Sequence, residues 1–189
     1  MSKPNLFIVG APKCGTTSLY RYLSEHPDIK MSTPKEPGYF ASDFPGSWMV
    51  KDKDEYLSLF KGKEKVKGDA STVYLYSETA LKNIKKFDKN AKIVVMLRNP
   101  VDLVHSFHSQ LYTNLDEDQP DFEKAWKLQE VRRKGKKIPK KSRTPALLQY
   151  KKVGSLGKQV SELLKIFPRK QIKFILLSDF SESPGRVYR

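Results

Sequence analysis

Three short apolar runs rich in β-branched residues punctuate the chain, at residues 6–9, 92–97 and 172–177. Their length and continuity predict strands buried on both faces of a sheet. Between them the apolar positions shift to helical spacing. Leu19, Tyr22 and Leu23 share one face of a helix expected over 16–26, and Ala80, Leu81, Ile84 and Phe87 one over 78–87. Val104, Phe107 and Leu111 do the same over 101–112, and Leu156, Val160, Leu163, Leu164 and Phe167 over 155–167. Strands alternating with helices predict an α/β fold of three layers, a central parallel sheet flanked by helices. The length of 189 residues, without internal repeat, fits a single domain over residues 1–189.

Two stretches break the pattern. Residues 32–50 carry Pro34, Pro37, Gly38, Tyr39, Phe40, Phe44, Pro45 and Trp48 and are expected to form a structured loop over the sheet. Residues 132–143 hold eight basic side chains, Arg132, Arg133, Lys134, Lys136, Lys137, Lys140, Lys141 and Arg143. They read as a mobile, solvated insertion, with an anion-recruiting lid as the alternative.

The chemistry concentrates where strands end. The first strand runs into a loop bounded by Gly10 and Gly15, which opens a helix through Thr16 and Thr17. Such a loop aims backbone N–H groups and a helix N-terminus at an anion, which makes the sheet one of the P-loop type. The spacing of the two glycines is that of G-x-x-x-x-G-K-[ST]. Thr16, however, stands where that motif has lysine, and Lys13 lies inside the loop. The second strand ends at Arg98-Asn99-Pro100, and Ser106 follows on the next helix. A strand-end arginine can fork onto a phosphate. In parallel sheets ligands sit beyond the carboxyl ends of strands, where residues 10–17 and Arg98 both fall.

Charge sharpens this picture. An excess of 36 Lys and Arg over 21 Asp and Glu gives a net charge of +15, a field that draws nucleotides, sulfated or phosphorylated substrates and acidic polymers. The single cysteine, Cys14, excludes an internal disulfide framework and a multi-cysteine zinc site, and no metal site is expected. No apolar run approaches the roughly 18 residues of a membrane helix. The first strand begins too early for a signal peptide, so the expected setting is cytoplasmic.

Taken together, the motifs resemble the sulfotransferases that use 3′-phosphoadenosine 5′-phosphosulfate (PAPS), in particular the carbohydrate (heparan-type) branch and its bacterial relatives. The resemblance rests on Pro12-Lys13-Cys14-Gly15-Thr16-Thr17-Ser18-Leu19, His26-Pro27, Lys35-Glu36-Pro37 with Phe40, and Gly68-Asp69-Ala70-Ser71 with Tyr74. It continues through Leu97-Arg98-Asn99-Pro100 with Ser106, Phe167-Pro168 and Ser178-Asp179-Phe180. It implies that Lys13, Cys14, Gly15, Thr16, Thr17 and Ser18 hold the 5′-phosphosulfate end of the donor, and Arg98 and Ser106 its 3′-phosphate. Lys13 would neutralise charge on the leaving phosphate and Glu36 would be the base, acting on a hydroxyl or amine of a glycan or small-molecule acceptor. The product would be adenosine 3′,5′-bisphosphate.

Other readings stay open at this point. Glu36 also fits a surface pair with Lys35, and Lys35 fits a contact to a sulfate oxygen. Asp69 and Ser71 fit either the acceptor side of the site or a capped turn. His26 reads as a helix-end residue, His105 and His108 as helix packing, and Cys14 as a small loop residue. The family pattern is broken at Leu103 and Leu156, and the sequence stops at residues 185–189, so the family's C-terminal cap region is expected to be absent. A P-loop kinase or NTPase is a second reading, opposed by Thr16 after the last glycine and by Arg98 where an acidic metal ligand would stand. A third is a non-catalytic basic module for acidic polysaccharide or nucleic acid, which leaves both phosphate loops unexplained. Nucleic acid is therefore not an expected partner.

Overall fold

The computed structural model describes residues 3–44 and 49–188. Met1, Ser2 and Arg189 lie outside the described residues, as do Pro45 and Trp48 of the expected 32–50 loop. Along the chain run β1 (Leu6–Gly10), α1 (Thr16–Ser24), β2 (Ile29–Met31), α2 (Lys53–Ser58), β3 (Val66–Ala70), α3 (Ala80–Phe87), β4 (Lys92–Leu97) and α4 (Pro100–Thr113). There follow α5 (Phe122–Lys127), α6 (Gln129–Arg133), α7 (Tyr150–Gly154), α8 (Leu156–Ile166), β5 (Ile172–Leu176), α9 (Leu177–Glu182) and α10 (Pro184–Tyr188). The strands form one sheet in the order β2-β3-β1-β4-β5, every pair parallel, with helices flanking it.

The expected strands stand at β1, β4 and β5. β2 and β3 were not expected, because β2 is three residues long and β3 reads Val-Lys-Gly-Asp-Ala with no apolar run. β3 is a strand because it runs beside β1, Phe7 opposite Asp69 and Ile8 opposite Ala70, where tertiary pairing overrides weak local propensity. The helix expected over 16–26 stops at Ser24, two residues short of His26, whose place before Pro27 disfavours helical backbone. The one expected from residue 78 starts at Ala80, whose N–H donates to Ser77 Oγ at 3.0 Å. α4 opens on Pro100, with Val101 N–H donating to Asn99 Oδ1 at 2.9 Å. Two side chains assigned to apolar faces, Tyr22 and Leu164, are instead over 40% exposed, at 42% and 44%.

The described part of the 32–50 segment is a structured loop. Phe40 is buried and meets Phe7, Tyr56, Tyr74 and Phe87 edge to face, at 5.8, 5.4, 5.9 and 5.2 Å between ring centres. Burying one such ring stabilises by roughly 1.5–3 kcal/mol, which fastens the loop at the edge of the site.

The expectation of a wholly solvated insertion at 132–143 is corrected. Arg132 is buried and forks onto the buried Glu117, while Arg143 pairs with Asp116. Two consecutive acidic residues after α4 thus hold both ends of the basic run. The lysines between them, Lys134, Lys136, Lys137, Lys140 and Lys141, are exposed. No helix among the described residues is long and apolar enough to cross a membrane.

Candidate active site

The loop after β1 owes its shape to two glycines. Gly10, at φ 147°, passes so close to the turn after β3 that a Cβ there would lie 2.9 Å from both Leu75 Cβ and Thr72 O. Gly15, at φ 84°, precedes α1, and its Cβ would lie 2.8 Å from Leu177 Cδ1. Both take backbone conformations that L side chains rarely adopt. Between them Ala11 N–H donates to Met96 O at 2.8 Å, tying the loop to the end of β4. Lys13 itself sits at φ 61°, and its carbonyl accepts from Arg98 Nη1 at 3.4 Å. The arginine ending β4 therefore touches the backbone of the lysine loop.

These elements open onto one cleft of about 640 Å³. Lys13, Gly15, Thr16 and Thr17 line it from the loop and α1, Arg98 from the end of β4, and Ser106 from α4. Glu36 lines it from the opposite segment. Seven residues proposed from sequence are thus brought together. Arg98 is also 3.9 Å from Asp102 Oδ2, an ion pair one turn along α4. Ser18 is exposed and is not among the lining residues. Cys14 is fully buried, its thiol donating to Pro12 O at 3.4 Å. Burial pushes that thiol up to about 11, against the lowering influence of Arg98, so its side chain packs the loop as a neutral group.

Glu36 sits at φ 63° with its N–H on Ala70 O at 3.1 Å, a backbone link that carries the residue past the end of β3. Its carboxylate accepts from Lys35 Nζ at 2.5 Å and from Thr72 Oγ1 at 3.0 Å. Glu36 therefore pairs with Lys35 and still lines the cleft. Lys35 is engaged by that pair and is not a lining residue.

Asp69 and Ser71 do not reach the cleft. Both are fully buried, and Asp69 accepts from Tyr56 OH, Ser71 Oγ and Tyr74 OH at 2.7, 2.7 and 2.8 Å. Burial raises the Asp69 carboxyl to about 6 even against those three hydrogen bonds. The histidines also stay out. His26 Nδ1 accepts from Asp28 N–H, His105 packs on Phe122, and His108 Nε2 lies 2.8 Å from Gln119 O.

The cleft has walls that sequence reasoning missed: Thr72 and Tyr76 after β3, Gln110 on α4 with Asn114 capping its end, and the Asp116–Arg143 pair. Ser106, Gln110 and Asn114 are spaced i, i+4, i+8, one helix face, so a signal for two of them was present. Asp116 is nearly buried, which alone would raise its carboxyl, but the hydrogen bonds from Arg143 outweigh burial and hold it below the usual range.

Comparison with known proteins places this geometry in a family. The model for the sulfotransferase domain matches residues 3–187. A sulfotransferase crystal structure from Alicyclobacillus acidocaldarius superposes with a TM-score of 0.87 at 35% identity, covering 99% of this chain and 78% of that one. The human heparan sulfate glucosamine 3-O-sulfotransferase 3B1 is 26% identical over 97% of this chain and 45% of its own length. The Dictyostelium discoideum membrane-associated sulfotransferase kil1 is 35% identical over 52% of this chain and 21% of its own length. The chain thus spans less than half the length of these two curated relatives. Since the family match takes in all five strands and the whole cleft, the chain belongs to the sulfotransferase domain family.

Proposed function

We propose that this sulfotransferase moves the sulfuryl group of PAPS to a hydroxyl or amine of a glycan or small-molecule acceptor. The observation that carries this reading is one cleft shared by Lys13, Arg98 and Glu36. Two cationic side chains at the ends of neighbouring strands suit a donor with two anionic ends. The loop N–H groups with Lys13, Thr16 and Thr17 would take the 5′-phosphosulfate, and Arg98 with Ser106 the 3′-phosphate. The relative named for heparan sulfate supports a glycan acceptor.

The step itself is an in-line displacement. The acceptor oxygen or nitrogen forms a bond to sulfur while the bond from sulfur to the bridging phosphate oxygen breaks. Negative charge grows on the leaving phosphate, where the Lys13 ammonium stabilises it. The acceptor proton goes to Glu36. Lys35 and Thr72 occupy two of the roughly four lone-pair sites of a carboxylate, which leaves capacity for that proton.

Calorimetric titration with adenosine 3′,5′-bisphosphate, beside ATP with magnesium, tests the reading. Metal-independent binding of the bisphosphate, lost in Arg98→Ala, is the expected result. Preference for ATP–magnesium, or unchanged affinity in Arg98→Ala, would overturn it.

A further inference from the structure

Behind the cleft lies a buried hydroxyl cluster that no step of the transfer uses. Asp69 is fully buried, and its carboxylate accepts from three hydroxyls: Ser71 Oγ on Oδ1, and Tyr56 OH and Tyr74 OH on Oδ2. Two of these hydroxyls also accept from the segment that carries Glu36. Gly38 N–H donates to Ser71 Oγ at 3.0 Å, and Phe40 N–H to Tyr74 OH at 3.4 Å. The same segment is tied to β3 through Ser32 N–H on Gly68 O and Glu36 N–H on Ala70 O.

A hydroxyl has one proton and two lone pairs. When its proton points at Asp69, its lone pairs are turned outward, toward the backbone N–H groups of the 36–40 segment. Only an ionised carboxylate takes all three hydroxyl protons at once. A protonated carboxyl, or an amide in its place, must donate to one of them and turn that hydroxyl's own proton away. We propose that Asp69 is a positioning residue for Glu36: its ionised carboxylate orients Ser71 and Tyr74 so that they latch Gly38 and Phe40 and hold the Glu36 segment against the cleft. The catalytic consequence rests on reading Glu36 as the acceptor-side base, whereas the latch is a property of the fold alone.

The groups facing Asp69 come from several elements. Tyr56 arrives from α2, Tyr74 and Ser71 from the turn after β3, and Glu36 from the loop, where its negative charge adds to the effect of burial. Tyr39, stacked on Tyr56 at 4.3 Å between ring centres, closes the cluster from the loop side. Burial sets the carboxyl to about 6, so the latch would be closed at neutral pH and open in mild acid.

Amide hydrogen exchange read by NMR on the whole chain, from pH 5 to 8, tests the latch without any substrate. Rates are normalised to the intrinsic exchange rate at each pH. In the wild type the protection of at least one of the Gly38 and Phe40 amides, the one held by the hydroxyl that the protonated carboxyl redirects, should fall about tenfold on acidification, the weight of one hydrogen bond, with a midpoint near 6. The Ala11 amide, bonded to Met96 O, should not follow it. Ser71→Ala should expose Gly38 alone and Tyr74→Phe should expose Phe40 alone. Asp69→Asn should remove the midpoint and leave at least one of the two amides weakly protected throughout. Flat protection in the wild type, or the same midpoint in Asp69→Asn, overturns the proposal. The wild-type titration and the two hydroxyl variants decide the matter even where Asp69→Asn does not fold. Full transfer rate in Glu36→Gln would remove the catalytic reading and leave the exchange result standing, so the two failures are distinct.

Discussion

Arg132 and Glu117 form a two-pronged ion pair shielded from water, Nη1 to Oε2 at 2.5 Å and Nη2 to Oε1 at 2.6 Å, with side-chain exposures of 1% and 0%. Tyr150 OH donates to Oε2 at 2.6 Å, and the N–H groups of Asp118 and Gln119 donate to Oε1 at 2.9 Å. The acid is therefore saturated with donors.

Removing one partner strands the other charge. Glu117→Gln or Arg132→Met should each lower stability by about 3–5 kcal/mol, while the double replacement Glu117→Leu with Arg132→Met should recover much of the loss. Urea denaturation midpoints at pH 7 measure both. Burial alone would raise the Glu117 carboxyl, but the hydrogen bonds from Arg132 and Tyr150 outweigh it, so the folded value lies below the ordinary 4.5. A depressed carboxyl contributes stability above its unfolded value and loses it as pH falls through the folded one. The gap between wild type and Glu117→Gln should accordingly narrow below pH 4.5.

Lys13 and Arg98 touch through the Lys13 carbonyl yet should fail differently. On the proposed reading Lys13→Ala should cut the transfer rate by about 10²–10³-fold, since its charge would act where the transition state becomes negative. Arg98→Ala should mainly raise the dissociation constant for adenosine 3′,5′-bisphosphate, by tenfold or more, and Arg98→Lys should not restore it, because an ammonium lacks the two-pronged fork. Single-turnover rates beside calorimetric titrations separate the two effects.

Gly15→Ala should cost about 1–3 kcal/mol and weaken anion binding together. Its φ of 84° strains any L residue, and the added methyl would meet Leu177 Cδ1 at 2.8 Å. Thermal denaturation with and without the bisphosphate reads both losses; an unchanged melting temperature would refute the conformational argument.

Cys14 should resist alkylation in the folded protein. Its thiol titrates at about 11 instead of 9.0, so its thiolate fraction near pH 8 is about a hundredfold below that of an ordinary cysteine, apart from steric shielding. Iodoacetamide labelling followed by mass spectrometry should show slow native modification and rapid modification in urea.

Local features of this protein were legible in its sequence and distant ones were not. β4 matches its expected limits because residues 93–97 are an unbroken apolar run between turn signals. Lys13, Gly15 and Arg98 were found because a loop and a strand end carry their chemistry in consecutive residues. β3 hid its strand character in Lys67, Gly68 and Asp69, polar or small residues that sit buried beside β1. The place of Asp69 stayed open in the sequence because nothing in its neighbourhood shows that Tyr56, 13 residues earlier, would bury it and donate to it. The Asp116–Arg143 wall joins residues 27 apart, and no periodic pattern records that meeting.

Asp116 and Glu117 grip the two ends of the basic run, and this has a consequence for how the molecule can diversify. Residues 133–142 form a closed surface ring whose two attachment points are neighbours on the chain, so lengthening the ring adds little closure entropy, about 0.6 kcal/mol per doubling of a flexible loop. Its five exposed lysines lie outside the buried core, and one of its clasps, Arg143, is itself a wall of the cleft. Exchanging this one cassette between fixed clasps would thus change the surface beside the cleft, while the loops that carry Lys13 and Arg98 stay untouched.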